Sequence, residues 1–119
     1  MIGNMKILQM YSAMAGHAAK SHATIAENLA NADTPGYRAK EVESFQSFVL
    51  RASEADGVQK LDLNNLRILD ANGPQSPNGN TVSLEEQVLK SAEVSNQHAL
   101  ALNVYRKSLD LLRISLGRQ

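Results

Sequence analysis

Residues 30–37 read Ala-Asn-Ala-Asp-Thr-Pro-Gly-Tyr, and this stretch ends a long run of helix-forming sequence. Proline disfavours helical backbone in the residue before it and has no N–H to donate to a helix. Pro35 and Gly36 suit the two central positions of a type II turn, in which glycine takes positive φ without steric cost. The sequence therefore predicts that a first helix stops here and that the chain turns sharply.

The segment before this turn, from about Met5 to Ala32, has the pattern of one long amphipathic helix. Its apolar residues recur at steps of three, four and seven, which places them on one face. They are Ile7, Tyr11, Met14, Ala18, Ile25, Leu29 and Ala32, and His22 fills the gap among them. With about 28 residues, the predicted helix is roughly 40 Å long.

A second long helix is predicted at the other end of the chain. Ser83 and Glu86 form a capping box, with serine at the N-cap and glutamate at the third helical position. The following apolar stripe consists of Leu84, Val88, Ala92, Ser95, Ala99, Leu102, Tyr105, Leu109, Leu112 and Leu116. The stripe is broad enough to contact more than one neighbour. The predicted helix could exceed about 30 residues, a length typical of a coiled coil or an assembly element.

The middle of the chain has weaker patterns. Within residues 38–57, helical spacing of Val42, Phe45, Phe48, Val49 and Ala52 predicts a short helix, with Gly57 as its cap. Residues 58–80 suggest one or two short extended pieces and then a loop dense in turn residues. The predicted fold is mainly α, with long terminal helices packed as an antiparallel or coiled-coil pair. Residues 1–37, 38–80 and 81–119 form one structural unit.

Composition excludes several classes of function. Lysine plus arginine and aspartate plus glutamate both number 12, so no excess positive charge is available for non-specific nucleic-acid binding. The chain has no cysteine, which excludes disulfides and thiolate metal sites. Its beginning lacks the features of a cleaved signal peptide, and no apolar run approaches the ~20 residues that span a bilayer.

No residue set in the sequence predicts catalysis. His17 and His22 are five residues apart, which does not suit a helical metal pair, and together with His98 they are expected to lie on helix surfaces. No serine or other nucleophile has an activating setting. The sequence therefore predicts neither an enzyme nor a cofactor.

Asn28 and Asn31 are poor helix formers on one face of an alanine-rich helix. One interpretation is that the helix frays before Pro35. The other is that their amides form a hydrogen-bonded lock between packed subunits. The spacing alone favours neither.

The stretch Asn28-Leu-Ala-Asn-Ala-Asp-Thr-Pro-Gly-Tyr37 resembles the N-terminal signature of the bacterial flagellar rod, hook and hook–filament junction proteins. The chain is too short for the hook and distal-rod types, which carry large inserted domains. Residues 76–86 and 105–118 resemble the corresponding parts of a proximal-rod member of the family. The similar stretches cover roughly both terminal thirds of the chain.

The resemblance implies a structural subunit that polymerises through its terminal helices into the hollow drive shaft of the flagellum. It implies export by the flagellar type III apparatus without a cleaved signal, and a place in the periplasmic rod of the basal body. The implied partners are copies of itself, other rod proteins, a basal-body adaptor and the inner-membrane ring or export gate, with no nucleic acid and no direct membrane insertion. The alternatives are a sister proximal-rod protein and a helical adaptor or secretion regulator.

Two sets of residues carry these expectations. The motif and turn consist of Asn28, Leu29, Ala30, Asn31, Asp33, Thr34, Pro35, Gly36 and Tyr37. The expected helix-packing and assembly residues are Ile7, Tyr11, Met14, Ile25, Leu29, Leu84, Val88, Leu102, Tyr105, Leu109, Leu112 and Leu116.

Overall fold

The computed structural model describes residues 2–55 and 61–117. The elements are helix α1 (Ile2–Ala30), strand β1 (Lys40–Val42), helix α2 (Phe45–Ala55), a 3₁₀ turn (Leu63–Asn65), strand β2 (Ile68–Asp70) and helix α3 (Leu84–Ser115). The molecule is elongated, with dimensions of 63 × 31 × 16 Å. The prediction of a mainly helical chain with long terminal helices and a short middle region is confirmed.

Helices α1 and α3 pack against each other in antiparallel fashion. The side chain of Asn28, near the end of α1, bonds Gln87 near the start of α3, and His17 bonds Gln97 about three helical turns further along. Partner numbers thus rise on α3 as they fall on α1. Helix α1 begins by Ile2 and ends at Ala30, whereas the sequence predicted about Met5 to Ala32. It ends earlier because the residues just before Pro35 belong to the turn.

The fully buried residues of α3, on the face that packs on α1, are polar or small. Its most buried positions are Gln87, Ala101 and Ser108, and the half-buried Val94 completes a row that repeats every seven residues. A seven-residue repeat keeps a row of side chains facing a partner helix. The packing face is therefore turned away from the predicted stripe in the first half of α3, where Leu84 and Val88 are exposed.

Helix α3 begins as its local sequence predicts. Ser83 is the N-cap, and its Oγ accepts a hydrogen bond from the N–H of Glu86. Glu85 and Glu86 lie in the first turn and Arg113 in the last, which complements the helix dipole. The helix has 32 residues, consistent with the predicted length.

The middle segment contains a two-stranded antiparallel sheet, in which Lys40 pairs with Asp70 and Val42 with Ile68. Val42 was expected in a helix, and this was wrong because Ser44 caps α2 and makes Phe45 its first residue. The expected cap at Gly57 lies outside the described residues.

The buried carboxylate of Glu43 joins β1 to the rest of the middle segment. It forms a salt bridge with Arg51 of α2 and accepts a hydrogen bond of 2.8 Å from the N–H of Arg67, next to β2. The side chain of Phe48 is fully buried beside Arg51. Paired in this way, the buried charge avoids the cost of isolated desolvation.

His17 does not lie on the surface, contrary to expectation. Its side chain is buried among α1, β1 and α3. Nδ1 lies 2.9 Å from Nε2 of Gln97, an amide donor, so Nδ1 accepts and Nε2 donates to the carbonyl of Glu43 at 2.7 Å. Both ring nitrogens are therefore used, and His17 joins α1 to α3 and to the residue that follows β1.

Candidate functional site: the motif junction and the outer face of α3

Asn28 is the centre of the junction between the end of α1 and the start of β1. Its side chain is fully buried. Nδ2 donates to the carbonyl of Lys40 at 2.7 Å and to Oε1 of Gln87 at 3.1 Å, while Oδ1 accepts from the N–H of Lys40 at 3.0 Å. One amide therefore pairs with both main-chain groups of Lys40, the first residue of β1, and also binds Gln87 in the first turns of α3.

Asn80 closes the C-terminal end of α1 from 49 residues away. Its Nδ2 donates to the carbonyl oxygens of Asn31 and Thr34 at 2.8 and 2.7 Å, and its Oδ1 accepts from the N–H of Val82. These two carbonyls also accept hydrogen bonds from the main-chain N–H groups of Thr34 and Tyr37. The buried side chain of Asn80 adds a second bond to each and links the loop before α3 to the motif.

The turn at Pro35-Gly36 packs directly on a second turn. The N–H of Tyr37 donates to the carbonyl of Thr34, and Gly36 has φ +74°, as a type II turn requires. The N–H of Gly36 also donates to the carbonyl of Asn78 at 3.0 Å. A Cβ at Gly79 would lie 3.3 Å from the Cα of Gly36, so the two backbones approach closely.

Thr81 completes the junction. Its N–H donates to the carbonyl of Tyr37, and its Oγ1 accepts from the N–H of Ala39 at 2.8 Å. Thr81 and Ala39 are both buried. The chain leaving the turn is thus held from two sides, by α1 and by the loop that leads into α3.

The outer face of α3 is the second feature with functional meaning. Large aliphatic side chains on this helix point to solvent, in contrast to the polar and small residues that pack on α1. They are Leu84, Val88, Leu89, Leu100, Leu111, Ile114 and Leu116, each more than half exposed. An extended apolar surface of this kind marks an interaction site.

Comparison with known proteins bears on both features. The family model described as "Flagella basal body rod protein" matches residues 10–38, which cover most of α1, the Asn28 junction and the turn. The flagellar basal body rod protein FlgB of Salmonella typhimurium strain LT2 is 28% identical, over 71% of this chain and 74% of its own length. Both similarities support a flagellar basal-body rod protein related to FlgB.

The similarities support a component of the flagellar basal-body rod, and the rod family implies association with other basal-body components. The family is structural. None of the described helices is long and apolar enough to cross a membrane. Within residues 2–55 and 61–117, no group of three or more histidine, cysteine, aspartate or glutamate residues could hold a metal ion.

The expected helix-packing residues of the rod protein separate into two groups. Ile25 is buried, and Tyr11, Met14, Leu102, Tyr105, Leu109 and Leu112 are half-buried between or beside the long helices. Ile7, Leu29, Leu84, Val88 and Leu116 are exposed in the chain. Any assembly role of the exposed group stays a prediction.

The two asparagines of the motif have roles that neither interpretation described. Asn28 joins three elements within one chain. Asn31 donates from Nδ2 to the carbonyl of Glu27 at 2.9 Å and accepts from the hydroxyl of Thr34 at 3.1 Å. Its amide therefore stabilises the last turn of α1, where fraying was considered.

Sequence reasoning did not identify Gln87, Asn80 and Thr81 as partners of the motif. For Gln87 the sequence contained a signal, because this residue begins a row at seven-residue steps that continues with Val94, Ala101 and Ser108. For Asn80 and Thr81 the sequence shows only a polar pair before the capping box. Their partners lie more than 40 residues away.

Two ion pairs, Glu27 with Lys40 and Arg38 with Asp70, lie on the exposed side of the junction around Tyr37 and β1. A hydrogen bond from Lys40, at 3.1 Å, and the charge of Lys40 hold the pKa of Glu27 below its ordinary value. Partial burial and the neighbouring carboxylate of Glu27 raise the pKa of Tyr37. A hydrogen bond from Arg38, followed by one from the N–H of Asn72, lowers the pKa of Asp70.

These shifts predict a dependence of stability on acid. Glu27 and Asp70 have lower pKa values folded than unfolded, so their contribution is present above the unfolded values, near 4. It is lost as the pH falls through the folded values. We expect the urea midpoint to fall as the pH is lowered from about 5 to 3, and to fall less steeply in Arg38→Gln/Lys40→Gln, which lacks both cations. Equal slopes for the two proteins would contradict this assignment.

The turn predicts a difference between two substitutions at Gly36. A Cβ there would meet nothing within 4 Å, so only the φ of +74° opposes a side chain. We expect Gly36→Val to lower the free energy of unfolding by about 1–3 kcal/mol, because a β-branched residue is strained at positive φ. Gly36→Asn is the matched control, since asparagine tolerates this region and should cost less than half as much. Chemical denaturation of both variants measures the difference, and equal losses would refute the backbone explanation.

Proposed function

We propose that this rod protein is a structural subunit of the proximal rod, which polymerises through its terminal helices into the hollow drive shaft required for motility. The observation that carries the proposal is the orientation of α3. Its fully buried residues, Gln87, Ala101 and Ser108, face α1. Much of its aliphatic surface points outward, namely Leu84, Val88, Leu89, Leu100, Leu111 and Ile114. A helix arranged in this way gains most of its apolar burial from other molecules.

The size of the exposed apolar surface supports assembly over an isolated life. Leu111 and Ile114 are 59% and 68% exposed, and Met5 and Ile7, near the start of α1, are also exposed. In the antiparallel pair these residues lie at the same end of the molecule. Burial of a leucine or isoleucine contributes about 1.5–3 kcal/mol, so neighbouring copies and other rod proteins would supply a large part of the stability.

The motif junction supports the same role. It connects α1, β1 and α3 through buried amide and main-chain contacts, which fix the angle between the helix pair and the middle segment. In a repeating lattice this angle must be the same in every copy. We propose that its partners in the rod are copies of this chain, other rod proteins, the adaptor and the inner-membrane ring or export gate.

Deletion of the gene tests the proposal. We expect non-motile cells whose basal bodies, viewed by electron cryotomography, retain the inner-membrane ring and lack a rod. Complementation with the unaltered chain should restore rods, and a tag on the exposed Gln46 of α2 should mark the part of the rod nearest the inner membrane. Complete rods in the deletion strain would refute the structural role, and a stable one-to-one complex with a single partner would support the adaptor alternative.

A further inference from the structure

An apolar groove lies on the outer side of α1. Gly16, Ala19 and Ala23 form its floor, and Leu63, Leu66 and Ile68 form its wall. The groove encloses about 530 Å³. Ala19 and Ala23 are exposed, and so are Leu63 and Ile68. The groove is therefore an unfilled apolar site on a face that the packing of α1 on α3 leaves free.

The floor of the groove already accepts one aliphatic side chain. Leu63 rests directly on the backbone at Gly16, where an added Cβ would overlap its Cδ1. Since the next positions of the floor are alanines, the same kind of contact is open to a side chain from outside. Small residues let an approaching helix place its large side chains close to the backbone.

The outer face of α3 carries a row of side chains with matching spacing. Leu89, Leu100 and Leu111 are 11 residues apart and more than half exposed. Eleven residues are close to three helical turns, so the three leucines lie on one line, roughly 16 Å apart. Helix α1 has exposed small residues at the same interval of 11. They form two pairs, Ser12 with Ala23 and Ala19 with Ala30.

The two surfaces also carry opposite charges. Lys20 lines the groove and is exposed. Glu93 is exposed on α3 between Leu89 and Leu100, on nearly the same line. Neither side chain takes part in a salt bridge among the residues that the structure describes. Both are therefore available to a charge from another molecule.

We propose that the groove on α1 binds the Leu89–Leu100 row of α3 from a second copy of this chain, with Lys20 beside the Glu93 of that copy. The contact rests on the proposed assembly of the rod and specifies which surfaces meet. In a rod this contact is heterologous, because a reciprocal pairing of groove and row in two copies would close as a dimer. Each bound copy then still offers a free groove or a free row. Such an interface continues into an open helical array instead of closing as a dimer.

Cysteine cross-linking tests the pairing, because the chain has no cysteine of its own. Ala23→Cys and Leu89→Cys are placed in separate copies of the gene and expressed together in the deletion strain. After oxidation, basal bodies are isolated and separated on a non-reducing gel. We expect a disulfide-linked dimer only when both variants are present, because residues 23 and 89 then meet across copies.

Gln46→Cys with Leu89→Cys is the control, since Gln46 is exposed on α2 and away from the groove. A dimer of equal yield in the control, or incorporation of both variants without a 23–89 dimer, would overturn the pairing and leave the proposed rod function standing. Absence of the unaltered chain from basal bodies would instead overturn the proposed function.

Charge reversal decides the matter if the cysteine variants do not enter the rod. Lys20→Glu and Glu93→Lys should each reduce the number of rods per cell about tenfold, the equivalent of one unfavourable contact per subunit. The double variant Lys20→Glu/Glu93→Lys should recover at least half of the lost rods. A double variant no better than the worse single variant would overturn the proposal.

Discussion

Leu100→Asp is expected to abolish rod formation and motility while leaving the isolated chain folded. Leu100 is 53% exposed in the single chain, so a carboxylate there stays hydrated and the helix pair is little affected. In the assembled rod the same carboxylate would be buried without a partner, at a cost of several kcal/mol for each subunit. Circular dichroism of the purified variant and a soft-agar swimming assay measure the two effects separately.

The matched control is Gln46→Asp, which places the same charge on an exposed position of α2. We expect this variant to swim normally. If cells with Leu100→Asp swim as well as cells with Gln46→Asp, the outer face of α3 is not buried in the rod, and the proposed assembly role of that face is wrong.

Asn28→Ala is expected to have the largest effect on the chain itself. The substitution leaves both main-chain groups of Lys40 and the amide of Gln87 without their partner in a fully buried site. Unsatisfied buried groups cost about 1–3 kcal/mol each, and partial relaxation makes a loss of about 2–4 kcal/mol reasonable. Urea denaturation followed by circular dichroism measures this loss.

Asn31→Ala is the natural comparison, since the same residue type lies three positions away in the same helix. Its hydrogen bonds are local and exposed, and alanine has the higher helix propensity. We expect Asn31→Ala to change the free energy of unfolding by less than about 1 kcal/mol. An Asn28→Ala variant as stable as Asn31→Ala would show that the buried junction contributes little.

The start of α3 and the turn after α1 could be predicted because their chemistry is local. Ser83 caps α3 through the Glu86 N–H three residues away, and Pro35-Gly36 forms its turn with a bond between Thr34 and Tyr37. Each of these features is complete within a few residues. A sequence pattern is therefore sufficient to describe it.

The orientation of α3 could not be predicted from its apolar stripe. A rule that places large aliphatic residues inside assigns Leu84 and Val88 to the helix pair, whereas Gln87 lies there. The amide of Gln87 is buried because Asn28 satisfies it. Patterns of hydrophobicity contain no information about such a partner 59 residues away, nor about the outside molecules that would cover the leucines.

The secondary structure of the middle segment could be predicted only in part from its local sequence. Strands β1 and β2 have three residues each, too few for an alternating pattern to be distinguished from a helical one. Val42 fitted a helix by spacing, and it joined β1 because Asn28 and the neighbouring β2 supply partners for the extended backbone. Tertiary contacts thus decided a choice that the local sequence left open.

The junction has one further consequence, for the substitutions that the chain can accept. Asn28, Asn80 and Thr81 bind the main-chain atoms of the segment from Asn31 to Lys40. Replacing any of these three side chains therefore removes main-chain bonds, whereas a change of the exposed Arg38 or Lys40 removes only a surface ion pair. Position 40 should accept almost any residue that keeps its N–H, and should refuse proline. Across the junction, substitution of the small buried polar side chains should therefore cost more than substitution of the larger, charged ones at the surface.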